Sequence, residues 1–254
     1  MNRWQPSRDK WIVHSPPESG GLALICLSPA GGSPEQFRCW KQELPPDVDV
    51  LSLRLPGHVQ RLAEPPYRAW EPLIEDAFQA LLPYLARPHA FYGHSFGGRL
   101  AYELTQAASA VFPGMTRRLF VGGCRAPDCP QPLPYLHLLP DAEFGAAVRA
   151  MGGTPEEVGA NAELMRLLLP GIRAEIQLAE VWENRHAQGV DVPITAVCGS
   201  ADPIDGPARM RGWTGFSLRE GELVELAAGH FFFETHRADL IEVINSRLGP
   251  AEWP

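Results

Sequence analysis

Residues 93–97 read Gly-His-Ser-Phe-Gly and place a serine between two glycines, where an apolar segment gives way to a helical one. Residues 88–92, just before, form a short run that predicts a buried strand, and residues 98–104 carry apolar side chains at helical spacing. A serine on a sharp turn between strand and helix points its hydroxyl out of the sheet. The stretch therefore predicts a nucleophile at Ser95; the alternative is a glycine-rich turn that contains a serine by chance.

Apolar runs elsewhere in the chain predict the rest of a sheet. They lie at residues 22–27, 48–53, 118–122, 192–198 and 223–226, with an amphipathic helix at 71–85 and a short helix between the first two runs. Strands that alternate with helices predict an α/β fold with a mostly parallel sheet covered on both faces. With 254 residues and 45% hydrophobic content, we expect a single domain over residues 1–254.

One segment, at about residues 125–189, interrupts this alternation. It begins with a proline-rich stretch at 126–132 and continues with helical patterning at 141–151, 155–169 and 171–184. Because no strand is predicted here, we expect a helical lid inserted over the active site. The alternative is a second small helical domain with a structural role.

A serine hydroxyl is a weak nucleophile at neutral pH and needs a base, which in turn needs an orienting group. His230 follows the last predicted strand, and Asp202 follows the strand before it through Gly-Ser-Ala. The chain order Ser95, Asp202, His230 is that of the catalytic triad of the α/β-hydrolases. The sequence therefore predicts these three as the catalytic residues.

Other residues compete for the same roles. Asp205 replaces Asp202 if the loop is longer than assumed. His236 begins the last helix and is interpreted as a capping or solvent-facing residue, whereas His94 is expected to point away from Ser95 into the packing. Four further histidines carry no triad-like context: His58, His89, His137 and His186.

Two backbone N–H groups are predicted to form an oxyanion hole. One belongs to Phe96, at the start of the helix after the nucleophile. The other belongs to Ala30, in the loop 28–33 that follows the first strong strand, where two glycines let the backbone approach a ligand closely.

Composition narrows the partners and the compartment. The net charge of −8 argues against nucleic acid and anionic membranes as general partners. Five cysteines without paired spacing indicate reduced thiols rather than disulfides or a zinc site. Residues 1–6 have no apolar run behind their arginine, and the longest apolar run, at 22–27, is too short to span a bilayer. We therefore expect a cytoplasmic protein.

These residues, taken together, resemble the stand-alone type II thioesterases that accompany polyketide synthases and nonribosomal peptide synthetases. The resemblance covers nearly the whole chain. It rests on Pro-Ala-Gly-Gly at 29–32, Leu-Pro-Gly-His at 55–58 with Arg61 and Glu-Pro-Pro at 64–66, Gly-His-Ser-Phe-Gly-Gly at 93–98, Ala-Tyr-Glu-Leu at 101–104, Arg-Ala-Pro at 125–127, Gly-Gly-Thr-Pro at 152–155, residues 169–175, residues 199–203 and Gly-His-Phe-Phe at 229–232. Two features depart from the family pattern. Ser28-Pro29 precede Ala-Gly-Gly where the family commonly has proline and then histidine or an aromatic residue, and Glu175 stands where the family commonly has aspartate.

The resemblance implies hydrolysis of wrong or stalled acyl and aminoacyl thioesters from phosphopantetheine on carrier-protein domains. It places the nucleophile on Ser95, the acid on Asp202, the base on His230 and the oxyanion donors on Ala30 and Phe96. It implies no cofactor and no metal, and we expect a monomer. Carrier domains are generally acidic, so docking would use an apolar or basic patch, for which the candidates are Arg54, Arg61, Arg68 and Arg125.

Three other functions are compatible with the fold. They are a general carboxylesterase or lipase, a medium-chain acyl-carrier-protein hydrolase of fatty-acid synthesis, and a binding module that keeps the fold without catalysis.

Overall fold

A twisted sheet organises the chain, for which the computed structural model describes residues 8–15, 20–154 and 156–249. Within those residues the sheet has seven strands in the spatial order β1-β3-β2-β4-β5-β6-β7. Strand β1 pairs antiparallel with β3, and every other pairing is parallel. The strands are β1 (Ile12–Ser15), β2 (Leu22–Leu27), β3 (Val48–Leu53), β4 (His89–His94), β5 (Thr116–Gly122), β6 (Ile194–Gly199) and β7 (Gly221–Leu226).

Helices lie before the first strand, in the connections between strands and after the last strand. They are α1 (Arg8–Trp11), α2 (Trp70–Leu85), α3 (Phe96–Val111), α4 (Asp141–Ala150), α5 (Glu156–Ala160), α6 (Ala162–Val181), α7 (Pro207–Met210), α8 (Phe232–Thr235) and α9 (Arg237–Leu248). Segments of 3-10 helix lie at Pro34–Gln42, Val59–Arg61, Leu136–Leu138 and Arg211–Phe216.

Alternating side chains of the strands divide the core between the two faces of the sheet. Ala23, Ile25 and Leu27 pack with residues of α2 and α3 on one face. Leu22 and Leu24 pack with the 3-10 helix after β2 and with α9 on the other. Because both faces are covered, strands β2 to β6 are buried along almost their whole length. The predicted α/β class is confirmed.

Strand positions follow the sequence prediction closely, with one omission. Strands β2 and β3 have the predicted bounds, and β4 to β7 differ by one or two residues at their ends. Strand β1 was not predicted, because its four residues are too few to show a pattern of alternation. The domain prediction over residues 1–254 extends beyond the described residues and stays a prediction.

The segment between β5 and β6 is helical, as the sequence predicts, but its helices are divided differently. The break expected at Pro170 does not occur, and α6 continues through this proline from Ala162 to Val181. Gly171, the next residue, packs against the backbone of Gly57, where an added Cβ would lie 3.3 Å from the Gly57 carbonyl oxygen. Tertiary contact therefore outweighs the local preference of proline to end a helix. Pro155, where a helix was predicted to start, lies outside the described residues.

None of the helices in the described part of the chain is long and apolar enough to cross a membrane. Cys26 in β2 and Cys198 in β6 are buried and free, which fits the expected reduced thiols.

Candidate active site

The predicted site residues all follow the carboxyl ends of neighbouring strands. Ser95 comes directly after β4, Asp202 three residues after β6, and His230 four residues after β7. The loop 28–33 follows β2, which lies beside β4 in the sheet. Because parallel strands end at the same edge, the topology brings these four segments together, at the edge where α/β proteins bind ligands.

Ser95 has a backbone conformation that non-glycine residues rarely adopt, with φ 54° and ψ −116°. Its N–H donates to the carbonyl oxygen of Gly122 at 2.8 Å, and its own carbonyl accepts from the N–H of Gly98 at 2.9 Å. Gly97 lets α3 start close to β2, since a Cβ there would lie 2.3 Å from the carbonyl oxygen of Leu27. The neighbouring strands thus hold Ser95 on the strained turn that the sequence predicts.

His230 and Asp202 form a buried pair. The Nδ1 atom of His230 lies 2.7 Å from Oδ2 of Asp202, and Oδ1 of Asp202 accepts the N–H groups of Ile204 at 2.7 Å and Asp205 at 3.1 Å. Burial on its own raises the pKa of Asp202, but hydrogen bonds from His230 and from the two backbone N–H groups lower it below its usual value. Asp202 is therefore an ionised partner of His230, and Asp205 supports it through its backbone.

His94 forms a hydrogen bond with the main chain of His230. Its Nε2 lies 2.9 Å from the carbonyl oxygen of His230, and its Nδ1 lies 3.0 Å from the hydroxyl of Tyr92. Burial, and then the nearby His230, lowers the pKa of His94 well below its usual value, so the ring is neutral. A carbonyl can only accept, so Nε2 carries the proton and Nδ1 accepts from Tyr92. His94 points away from Ser95 as predicted, but its contact with His230 was not predicted.

A second unpredicted cluster ties the loop after β2 to α6. The carboxylate of Glu175 accepts the N–H of Gly31 at 2.8 Å and Nε2–H of His58 at 2.6 Å. The side chains of His58 and Glu175 are almost fully buried. Burial lowers the pKa of His58, but the negative charge of Glu175 and its hydrogen bond together outweigh burial and raise this pKa above its usual value. His58, which has no triad-like context in the sequence, therefore holds the Glu175 carboxylate that binds the backbone next to Ala30.

A cavity of about 510 Å³ opens over these residues. Its wall includes Ser95, His230, Ala30 and Phe96. The helices between β5 and β6 close the other side with an apolar cluster formed by Phe144, Val148, Met165, Ile172 and Ile176. In the described residues, no group of three or more histidine, cysteine, aspartate or glutamate side chains could hold a metal ion.

The four arginines suggested for docking differ in exposure. Arg61 is buried, donates to Glu64 and lies over the ring of Trp11 with Cζ 4.4 Å from the ring centroid. Arg125 is also buried, and Arg54 is largely covered. The expected docking role is therefore not met on the outer surface by Arg61, whose contacts are internal, or by Arg125, which lies in the cavity wall. Arg68 is exposed.

Comparison with known proteins identifies the family. The thioesterase domain family matches residues 23–248. The chain belongs to this family. Its fold class and its activity as a thioester hydrolase, both predicted from the sequence, are thereby confirmed. The similarity to type II thioesterases that the sequence indicates is confirmed by relatives of that class.

Similar proteins cover nearly all of this thioesterase. It is 32% identical to the linear gramicidin dehydrogenase LgrE of Brevibacillus parabrevis over 98% of this chain and 96% of that protein. It is 32% identical to the thioesterase PikA5 of Streptomyces venezuelae over 94% of this chain and 85% of that protein. The solved structure of the type II thioesterase BorB from the borrelidin biosynthetic cluster is 33% identical, with a TM-score of 0.86 over 95% of this chain and 98% of that one.

The fatty-acid alternative corresponds to more distant relatives. The medium-chain S-acyl fatty acid synthase thioesterase of Rattus norvegicus is 26% identical over 82% of this thioesterase.

Proposed function

We propose that this thioesterase releases wrong or stalled acyl and aminoacyl groups from the phosphopantetheine arms of carrier domains in a polyketide synthase or nonribosomal peptide synthetase. Membership of the thioesterase family and the likeness to BorB support this proposal. The observation that carries the mechanism is the buried His230–Asp202 pair, whose histidine lines the same cavity as a serine on a strained turn. Ser95 is the nucleophile, His230 the base and Asp202 the acid.

In the first step the Ser95 hydroxyl attacks the thioester carbonyl. Since Nδ1 of His230 is bound to Asp202, its Nε2 is the nitrogen that takes the serine proton. The C–S bond then breaks, the proton passes from Nε2 to the leaving sulfur, and the carrier keeps its free thiol while the acyl group stays on Ser95 as an ester.

In the second step water replaces the thiol. His230 takes a proton from water as the oxygen attacks the ester carbonyl, and it returns that proton to the Ser95 oxygen when the C–O bond breaks. The products are a carboxylic acid and the restored enzyme, with water as the sole co-reactant. This chemistry needs no cofactor and no metal.

The N–H groups of Ala30 and Phe96 are proposed to hold the oxyanion in both steps. The N–H of Phe96 lies in the first turn of α3, where helical N–H groups have no carbonyl partner one turn earlier. Glu175 supports the other donor, because its hydrogen bond to Gly31 fixes the peptide that follows Ala30.

The apolar helices α4 to α6 are proposed as a lid that shapes the acyl site and admits the thin pantetheine arm. Carrier domains are the proposed partners, and we propose a cytoplasmic monomer.

LgrE is named a dehydrogenase, but the first strand-to-helix turn of this thioesterase reads Ser-Pro-Ala-Gly-Gly-Ser and lacks the Gly-x-Gly-x-x-Gly that binds dinucleotides. We therefore propose hydrolysis, and not a dehydrogenase reaction, for this thioesterase.

Replacement of the nucleophile tests the mechanism. Ser95→Ala should lower thiol release from an acyl-loaded carrier domain by at least about 1,000-fold, because no other group can form the acyl ester. Retained turnover would rule out Ser95 as the nucleophile. Faster turnover of a matched oxygen ester than of the carrier thioester would instead favour a general carboxylesterase.

A further inference from the structure

Two buried arginines line the cavity that holds Ser95. Arg99 is 2% exposed and Arg125 is 6% exposed, and both belong to the cavity wall together with the apolar lid residues. Arg99 lies in α3, one helical turn after Ser95, and Arg125 follows β5. Two guanidinium groups therefore lie in the wall of the cavity that contains the proposed nucleophile.

Arg99 has few partners for a buried cation. Its Nη1 contacts Sγ of Cys124 at 3.3 Å, and its Cζ lies 5.7 Å from the ring centroid of Trp182. Its Nε is buried and has no hydrogen-bond partner among the described residues. Burial raises the pKa of the Cys124 thiol to about 11, so this thiol is neutral and does not balance the charge.

Arg125 is in a similar position. Its Nε donates to the carbonyl oxygen of Cys129 at 3.2 Å. Burial and then the Arg99 guanidinium lower the pKa of Arg125 to about 10, so it remains protonated at neutral pH. Asp205 is the nearby carboxylate, and its Oδ1 also lies 3.8 Å from Nη1 of Arg209. Arg125 and Arg209 thus share the Asp205 carboxylate, while Arg99 has no salt bridge with a carboxylate among the described residues, which leaves a positive excess around the two cavity arginines.

A charge kept out of water is costly unless it is paired. Two further carboxylates belong to the cavity wall and have other partners. Glu180 accepts hydrogen bonds from the N–H groups of Leu136 and His137 and from the His137 ring, and Glu234 is exposed and accepts a hydrogen bond from Gln36. A bound anion would supply the missing partner, and guanidinium groups bind carboxylates and phosphates through paired hydrogen bonds.

Distance distinguishes two sources of such an anion. Four residues of helix separate Ser95 from Arg99 by about 6 Å along the axis, and helical side chains lean toward the N-terminus. The anion must therefore lie a few bonds from the reacting carbonyl. A carboxylate at the far end of a short acyl chain meets this condition. The phosphate of the pantetheine arm does not, because two amide groups and their linkers separate it from the thiol.

We propose that Arg99 and Arg125 form a carboxylate subsite, which makes short carboxyacyl groups of the malonyl and succinyl type substrates of this thioesterase. The inference rests on the proposed function, because it places the acyl group in this cavity.

Matched thioesters test the subsite in the unmodified enzyme. Malonyl-N-acetylcysteamine is compared with the 3-methylbutanoyl thioester, and the succinyl thioester with the 4-methylpentanoyl thioester; in each pair a carboxylate replaces an isopropyl group of similar shape. We expect kcat/KM to be about 10- to 100-fold higher for the carboxyacyl member, as hydrogen bonds to charged groups imply. A higher value for the neutral member would overturn the proposal, because an apolar cavity rejects an unpaired charge.

Substitutions of the two arginines test whether they cause the preference for carboxyacyl groups. Arg99→Met and Arg125→Met keep much of the side-chain volume and should lower the ratio of carboxyacyl to neutral kcat/KM about tenfold or more, while the neutral thioester is still hydrolysed. Arg38→Met is the control, because Arg38 is exposed and lies outside the cavity wall. Equal loss on both thioesters in both cavity variants would overturn the proposal.

N-Acetylcysteamine thioesters have no phosphate, so a comparison with phosphopantetheine thioesters distinguishes binding of the acyl carboxylate from binding of the phosphate. An arginine effect seen with phosphopantetheine thioesters, equal for both acyl groups and absent with N-acetylcysteamine, would assign the arginines to the phosphate and overturn the carboxylate subsite. Hydrolysis of neutral thioesters but not of carboxyacyl ones leaves the proposed function intact and rejects the subsite. Failure to hydrolyse any thioester would reject both.

Discussion

Asp202 and Asp205 differ by three positions in the chain, yet they have different relations to His230. Asp202 places its carboxylate on Nδ1 of His230, whereas Asp205 donates its backbone N–H to that carboxylate. The alternative that the sequence left open is therefore decided in favour of Asp202 as the partner of the histidine.

Asp202→Asn should lower kcat for thioester hydrolysis by about 10,000-fold with little change in KM, because the amide favours the wrong tautomer of His230. Steady-state thiol release measures both constants. Asp191→Asn is the matched control, since Asp191 is exposed and pairs with Arg219 at the surface. A large loss in Asp205→Asn together with none in Asp202→Asn would transfer the role to Asp205.

The sequence predicted some residues of the site and missed others for a physical reason. Ser95, Asp202 and His230 each follow a strand closely, so local patterns reveal them. His94 and His58 bind partners that are 136 and 117 positions away in the chain. Such contacts arise from tertiary packing, and no local pattern encodes them.

At the scale of structural elements, helix α6 belongs to the segment proposed as a lid and also contacts the loop after β2. Its Glu175 reaches the loop after β2, and its Ile172 and Ile176 line the cavity. The sequence predicted helical structure here but divided it at Pro170, because proline removes one helical hydrogen bond. The continuous helix brings Gly171 against Gly57, and such a tertiary contact is not visible in a local pattern.

Glu175→Gln should reduce stability in a pH-dependent way. The pKa of His58 is higher in the folded protein than in the unfolded chain. The His58–Glu175 pair therefore contributes its full stabilisation of the fold below the unfolded pKa near 6.5, and this contribution is lost as the pH rises through the raised pKa of the folded state. We expect a loss of about 1 to 3 kcal/mol in the free energy of unfolding at pH 5.5, and a smaller loss at pH 8.5.

Urea unfolding at a series of pH values measures this difference. Glu163→Gln is the control, because Glu163 is exposed in the first turn of the same helix. A loss that stays constant or grows toward high pH would contradict the assignment of the effect to charged His58.

At the scale of the whole molecule, the net charge of −8 opposes approach to an acidic carrier domain. Of the four arginines considered for docking, Arg68 is exposed. Its Nη1 lies 3.4 Å from Oε1 of Gln177 in α6, so it is also next to the proposed lid. A carrier that docks near the lid would meet this positive charge first.

Arg68→Glu should lower kcat/KM for an acyl-loaded carrier domain by about three- to tenfold at low ionic strength, while a small N-acetylcysteamine thioester is unaffected. The same charge reversal at Arg38, which is exposed within the 3-10 helix that packs on the same face of the sheet as α9, is the control. Equal loss on carrier and small substrate would show that Arg68 acts on the site itself.

The backbone of Ser95 sets a limit on how this chain can evolve. Its φ of 54° is strained by about 1 to 3 kcal/mol for a serine, and a glycine would relieve that strain. The substitution that folding alone would favour at this position is thus the one that removes the nucleophile. Selection for the reaction must oppose selection for stability here in every generation, so a gene copy released from its biosynthetic role is free to exchange activity for a more stable fold.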